Sequence, residues 1–204
     1  MPSPHATPSQ TIGPYYGTAL PFPGGPDAAP AGHPDAITVH GRVLDGEGVP
    51  VADALLEFWQ AAPDGSLTGS PGSLRRDGAR FTGFARVPTG GDGHYALRTL
   101  PPPEGAPFLA LCVFVRGLSR HLFTRVYFRL PAGDPLLAAL PPGRRDTLLA
   151  APDPGGHRTY RFDVRLRGRG RRCFFPLPAP SRNRGQAPGP PDAAAPRVLN
   201  RRTG

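Results

Sequence analysis

Histidine, tyrosine, cysteine and arginine are the residues of this chain best suited to binding chemistry. The six histidines stand at positions 5, 33, 40, 94, 121 and 157, and no two of them are spaced i, i+2. The two cysteines form no CxxC pair. A metal site built from distant residues, such as His94 with His121 and Tyr127, stays open, but scattered histidines are more often surface or core residues. The sequence therefore contains no compact metal-binding motif.

The basic charge is concentrated in one segment. The chain has 204 residues and a net charge of +9, and all 24 basic residues are arginine. Residues 168–204 carry eight arginines and one acid, Asp192, so the remaining domain is near neutral. A basic tail can bind polyanions, but a solvated, disordered tail is the interpretation we favour. We expect neither nucleic acid nor a membrane as a partner, and a soluble cytoplasmic protein.

Short alternating segments predict an all-β fold. Residues 37–44 alternate apolar and polar side chains with the period of two that is typical of a half-buried strand. Further strands are predicted at 54–60, 81–87, 93–100, 108–115, 122–129 and 160–166. The run at 108–115 is apolar on both faces, which indicates a strand covered on both sides. This spacing of short strands predicts an antiparallel β-sandwich, with Trp59 and Tyr160 in its core.

The segments outside the predicted sandwich are irregular. Residues 1–36 form an arm rich in proline and glycine, in which Gly13-Pro14 precedes two tyrosines in a rigid turn. Asp134 followed by Pro135 predicts an N-cap and a short helix over 135–140, with a further helical turn within 144–150. Residues 37–175 form the sandwich domain, and residues 176–204 are expected to be disordered.

Several stretches resemble the intradiol ring-cleavage dioxygenases. They are GRVLDGEGVPVADALLEFWQA at 41–61 and DGHYALRTLPP at 92–102. Three more, TPSQTIGPYY at 7–16, FVRG at 114–117 with HLFTRVYF at 121–128, and YRFDVRLRG with CFF at 160–175, are similar to the α subunits of the protocatechuate-cleaving αβ members. The resemblance implies an enzyme that inserts two oxygen atoms between the hydroxyls of protocatechuate, giving 3-carboxy-cis,cis-muconate. It also implies a β-subunit partner and higher oligomers of αβ units.

The resemblance also implies which subunit holds the metal. Iron-bearing members of the family bind Fe(III) with two tyrosines and two histidines, the latter as His-x-His on one strand. The matching stretch here is Phe108-Leu109-Ala110, which has no metal ligand. The loops at 66–80 and 101–107 contain no tyrosine. We therefore expect no metal and no catalytic residue on this chain, with the Fe(III) of the complex held by the β subunit.

Four positions are carried over from the family as substrate-binding residues: Thr11, Gly13, Tyr15 and Arg116. A guanidinium offers a planar, bidentate partner to a substrate carboxylate, although Arg116 could instead cap a strand in solvent. Tyr15 could contact the substrate or anchor the arm on the partner. Thr11 and Gly13 could line the entrance or serve as turn residues. The rival cation is Arg125, for which a cross-strand surface pair is the favoured role.

The sequence departs from the family at its C-terminal edge. The tail after residue 175 is extra, and Arg171-Arg172 occupies a place where an acidic residue is usual. Two other functions stay open beside a dioxygenase subunit. One is a non-catalytic β-sandwich that binds small aromatic acids or a protein partner. The other is a polyanion-binding protein that works through its arginine-rich tail.

Overall fold

Two β-sheets pack face to face and form the body of the chain. The computed structural model describes residues 8, 10–67, 76–168, 172, 174 and 175, so the predicted tail at 176–204 lies outside the described residues. The predicted sandwich class is confirmed, and most strand ends fall within a few residues of the expected ones. The strands are β1 Ile37–Leu44, β2 Leu55–Trp59, β3 Phe84–Pro88, β4 His94–Thr99, β5 Phe108–Phe114, β6 Leu122–Tyr127, β7 Ala151–Pro152, β8 Thr159–Arg161 and β9 Val164–Arg165.

The first sheet has a mixed strand arrangement. Its order is β4-β1-β8-β7, and β9 also pairs with β1. The β1–β4 pair is antiparallel, with Ile37 opposite Thr99. Both β8 and β9 run parallel to β1, so the prediction of an antiparallel sandwich describes most of the strand pairs but not these two.

The predicted strand over 160–166 is divided into β8 and β9 at Phe162. The backbone nitrogen of Phe162 donates to the carbonyl of His40 at 2.7 Å. The chain passes so close to β1 here that a Cβ atom added to Gly41 would lie 2.3 Å from the carbonyl oxygen of Phe162. Only glycine permits such an approach, so this crossing depends on position 41.

The second sheet has the order β3-β2-β5-β6, and all its neighbouring strands are antiparallel. In β5, Leu109, Leu111 and Val113 are buried between the sheets. Phe108 and Ala110 alternate with them on the outer face and are only half-buried. The expectation that β5 is covered on both sides is therefore met only on its inner face.

The core lies between the two sheets, where alternating side chains from both inner faces meet. Tyr160 packs against this core as a partly buried residue. Trp59 does not belong to it, because it ends β2 on the outer face and is 42% exposed. The prediction of a core Trp59 is wrong. The largest fully buried side chains are Tyr95, Tyr127, Phe58, Phe162, Leu55, Leu56, Leu109, Leu111, Leu148, Val39, Val43 and Val113.

Short helical segments cover one edge of the second sheet. The predicted cap is confirmed: Asp134 accepts hydrogen bonds from the nitrogens of Leu136 and Leu137, at 2.8 and 3.3 Å. The first helix, by contrast, lies in the N-terminal arm. In the described part of the chain, no helix has the length and apolar character needed to cross a membrane. The helices are α1 Tyr16–Ala19, α2 Pro135–Ala138 and α3 Pro142–Arg145, followed by a 3₁₀ turn at Asp146–Leu148.

Candidate functional site

The N-terminal arm is attached to the end of β5 through Tyr16. This side chain is buried, and its hydroxyl donates to the backbone carbonyl of Asp53. The same hydroxyl accepts a hydrogen bond from the backbone nitrogen of Arg116 at 3.2 Å. Burial raises the pKa of Tyr16, and the nearby charge of Asp53 raises it further. Tyr16 therefore stays protonated at neutral pH and bridges the arm to two separate turns.

A second contact joins the arm to the turn that follows β5. The hydroxyl oxygen of Thr11 accepts a hydrogen bond from the backbone nitrogen of Gly117 at 2.9 Å. The turn is closed by a hydrogen bond from Leu118 to Val115 at 3.2 Å. Its third residue, Gly117, has φ +87°, which favours glycine. The arm thus accepts hydrogen bonds from the two peptide groups that flank Arg116.

The guanidinium of Arg116 is paired with a carboxylate of the same chain. Its Nη2 atom lies 2.8 Å from Oδ2 of Asp53, in the turn that precedes β2. The Arg116 side chain is nevertheless 66% exposed, so Asp53 occupies only part of it. Arg116 therefore points to the surface with donors left over for a second anion.

The other two candidate residues lie on the same arm but are not joined to Arg116. Tyr15 is 77% exposed, and no heavy atom comes within 4 Å of where a Cβ atom on Gly13 would lie. In the described segments, neither residue has a hydrogen bond to Arg116. The structure thus brings Thr11 and Arg116 together around one turn and leaves Tyr15 and Gly13 on the open side of the arm.

The outer face of β5 offers no set of metal ligands. Phe108 and Ala110 share this face, as i and i+2 residues of a strand do. With Trp59 and Leu67 they line a mostly apolar hollow of about 290 Å³, and Gln60 also lies in its wall. These side chains do not fit Fe(III), which needs oxygen or nitrogen ligands. Among the residues described, no three histidine, cysteine or acidic side chains are grouped to bind a metal ion.

The distant residues that could have formed a metal site are kept apart by the fold. His94 lies on the first sheet, where its ring packs 5.7 Å from that of His40. The ring of His121 lies beside the rings of Phe114 and Phe123. The hydroxyl of Tyr127 donates to Asp134 at 2.8 Å. The three candidate ligands therefore have separate surroundings.

Arg125 is held in place beside the N-terminus of α2. Its Nη1 atom lies 3.0 Å from the hydroxyl of Tyr127 and 3.5 Å from Oδ2 of Asp134. The guanidinium also lies over the ring of Phe108, 3.8 Å from its centre. These contacts occupy the side chain within its own domain, so Arg116 is the better candidate to bind a substrate anion.

Comparison with known proteins places this arrangement in a family. The family model described as Dioxygenase matches residues 12–108. The α chain of protocatechuate 3,4-dioxygenase from Burkholderia cepacia is 40% identical over 191 residues, which cover 83% of this chain and 96% of that one. The chain belongs to the α chains of the intradiol dioxygenase family.

Two further relatives support the membership of the wider dioxygenase family. The β chain of the Burkholderia cepacia protocatechuate 3,4-dioxygenase is 31% identical over 154 residues, which cover 66% of each chain. Among solved structures, the dioxygenase domain of a carbohydrate-binding fusion protein from Streptomyces sp. SirexAA-E superposes with a TM-score of 0.50 at 26% identity. That match covers 82% of this chain and 99% of the domain.

Two residues of this intradiol dioxygenase α chain were missed by sequence reasoning. Tyr16 stood in the quoted arm motif, but nothing distinguished it from its neighbour Tyr15 as the buried one of the pair. Asp53 gave no signal, because a single acidic residue in a turn between strands is common. Both can be recognised only when the fold brings together the arm, the turn that precedes β2 (the β2 turn) and the end of β5.

Proposed function

We propose that this chain is the non-metal α subunit of protocatechuate 3,4-dioxygenase. Its role is to complete the active site in which O2 cleaves protocatechuate between its hydroxyls to 3-carboxy-cis,cis-muconate. The β subunit carries the Fe(III), and αβ units associate into a higher oligomer. The observation that carries the proposal is Arg116, which the arm holds at the surface with part of its guanidinium free.

The exposure of this site favours a subunit role over a self-contained enzyme. A carboxylate on Arg116 would remain open to solvent on this chain alone, where an ion pair is weak. A second protein surface over Arg116 and Tyr15 would exclude water and strengthen the same contact. We therefore place the substrate between two chains, with Thr11, Gly13, Tyr15 and Arg116 as the contribution of this one.

Co-expression tests the proposal. We would produce this chain with a β chain from the same organism, and each chain alone, and measure iron content, visible absorbance and oxygen uptake with protocatechuate. The proposal predicts that iron and colour follow the β chain, and that full turnover requires the pair. Iron binding and oxygen uptake by this chain alone would contradict the assignment of the metal to the β subunit.

A failure to associate would favour the other reading, a non-catalytic β-sandwich that binds small aromatic acids or a different protein. In that case binding of protocatechuate by this chain alone, measured by calorimetry, would replace oxygen uptake as the readout. The two readings are thus separated by whether the purified α chain forms a stable complex with the β chain.

A further inference from the structure

Asp53 is the closest charged neighbour of the residue to which we assign the substrate carboxylate. Its Oδ2 atom lies 2.8 Å from Nη2 of Arg116. An arginine side chain has several rotatable bonds, and an exposed one samples many orientations unless a partner fixes it. A single fixed edge orients the whole planar guanidinium, so Asp53 determines which donors remain for a ligand.

The turn that carries Asp53 is itself fixed on both sides. The hydroxyl of Thr89 donates to the carbonyl of Val51 at 2.9 Å and accepts from the nitrogen of Ala54 at 3.0 Å. The hydroxyl of Tyr16 is bonded to the backbone carbonyl of Asp53. Asp53 therefore reaches Arg116 from a rigid platform, which is the support that a precise binding site needs.

We propose that Asp53 is a specificity-determining residue that acts through Arg116. It orients the guanidinium so that its free edge receives the carboxylate of an aromatic substrate, and it thereby favours catechols that carry a carboxylate over those that lack one. This inference rests on the proposed function. Asp53 is a positioning residue, because the substrate contacts Arg116 and not Asp53.

The structure separates this role from the anchoring of the arm. Tyr16 bonds to the main-chain carbonyl of Asp53, whereas Arg116 pairs with its side chain. Substitution of Asp53 thus removes the support of Arg116 and leaves the arm attached. Asp53→Asn keeps an oxygen acceptor at the same place and removes only the charge, whereas Asp53→Ala removes both.

The test compares protocatechuate with catechol, which has no carboxylate, in the αβ complex. Asp53→Ala should lower kcat/KM for protocatechuate about tenfold, mainly through KM, because a freely rotating guanidinium loses oriented, charge-assisted hydrogen bonds. The same variant should leave kcat/KM for catechol unchanged. Asp53→Asn should recover most of the loss, since its amide oxygen still accepts from Arg116.

Arg116→Ala distinguishes a failure of the role of Asp53 from a failure of the proposed function. If Arg116→Ala raises KM for protocatechuate but Asp53→Ala leaves the ratio of the two substrates unchanged, the role of Asp53 is refuted and the proposed function stands. If Arg116→Ala has no effect on either substrate, the assignment of the substrate carboxylate fails, and the role of Asp53 fails with it. Equal losses for both substrates in Asp53→Ala would indicate a purely structural role and overturn the inference.

Discussion

The hydroxyl of Tyr16 lies 3.2 Å from the backbone nitrogen of Arg116 and accepts its hydrogen bond. The buried Tyr16 of the arm is thus bonded to the main chain of Arg116, whose side chain is exposed. Because the same hydroxyl also donates to Asp53, one side chain ties the arm, the β2 turn and the end of β5 together. The position of Arg116 therefore depends on the arm.

Replacing Tyr16 by phenylalanine should weaken this attachment. Tyr16→Phe removes a buried hydroxyl with two partners, and we expect a loss of about 1–2 kcal/mol in the free energy of unfolding. The matched control is Tyr15→Phe, which alters an exposed neighbour and should leave stability unchanged. Chemical denaturation of both variants measures the difference. Equal stabilities would mean that the Tyr16 hydroxyl does not anchor the arm.

Arg116 should contribute to binding rather than to turnover. In the αβ complex, Arg116→Gln should raise KM for protocatechuate by about tenfold or more, because a charge-assisted pair with the carboxylate is lost. Arg116→Lys keeps the charge but not the planar guanidinium, so its KM should lie between those of the wild type and Arg116→Gln. Arg125→Gln is the comparison at the rival cation. A larger effect on KM at Arg125 than at Arg116 would reverse their assigned roles.

Local patterns predicted the parts of this fold that depend on local chemistry. The alternation in β1 and the Asp134-Pro135 cap were both evident from neighbouring residues, and the structure confirms them. The crossing of Phe162 over Gly41 was not evident, since a parallel pairing joins segments far apart in the chain.

The same limit applies to the candidate site. Thr11 and Arg116 were identified by their motifs, and their role in substrate binding stays a prediction. Asp53 could not be found, because its pairing with Arg116 exists only after the β2 turn and the end of β5 have been brought side by side. A lone carboxylate in a turn has no periodicity or spacing from which a partner could be inferred.

The Asp134 cap should make stability depend on pH in the acid range. Burial opposes its charge, but hydrogen bonds from Tyr127 and from the nitrogens of Leu137 and Leu136 outweigh this and lower the pKa of Asp134. A lowered pKa means that the stabilisation is present above the unfolded-state pKa of about 4 and is lost as the pH falls through the lower folded-state pKa. The wild-type protein should lose this contribution on acidification.

Asp134→Asn tests this pH dependence. The amide retains a capping oxygen but does not titrate. We therefore expect a loss of about 1 kcal/mol in the free energy of unfolding at neutral pH, which disappears once the pH falls below the folded-state pKa of Asp134. Glu104→Gln, at an exposed ion pair, is the control and should have little effect at any pH. A difference between Asp134→Asn and wild type that persists unchanged at low pH would contradict the assignment.

The side chain of Arg172 is directed inward, toward the body of the domain. Its Nε and Nη1 atoms donate to the backbone carbonyls of Asp163 and Thr147. The guanidinium lies over the ring of Phe162, 4.0 Å from its centre, and burial lowers the pKa of Arg172. This side chain therefore connects the crossing at Phe162 to the 3₁₀ turn.

Truncation of Arg172 should accordingly destabilise the domain. We expect Arg172→Ala to lower the free energy of unfolding by about 2–4 kcal/mol, because two backbone carbonyls lose a charged donor and an aromatic ring loses its cation. Arg129→Ala, at an exposed arginine paired with Glu104, removes the same charge and should cost little. Thermal and denaturant unfolding of the two variants measures the comparison. Equal stabilities would show that the inward position of Arg172 is not needed to hold the C-terminal edge of the sandwich.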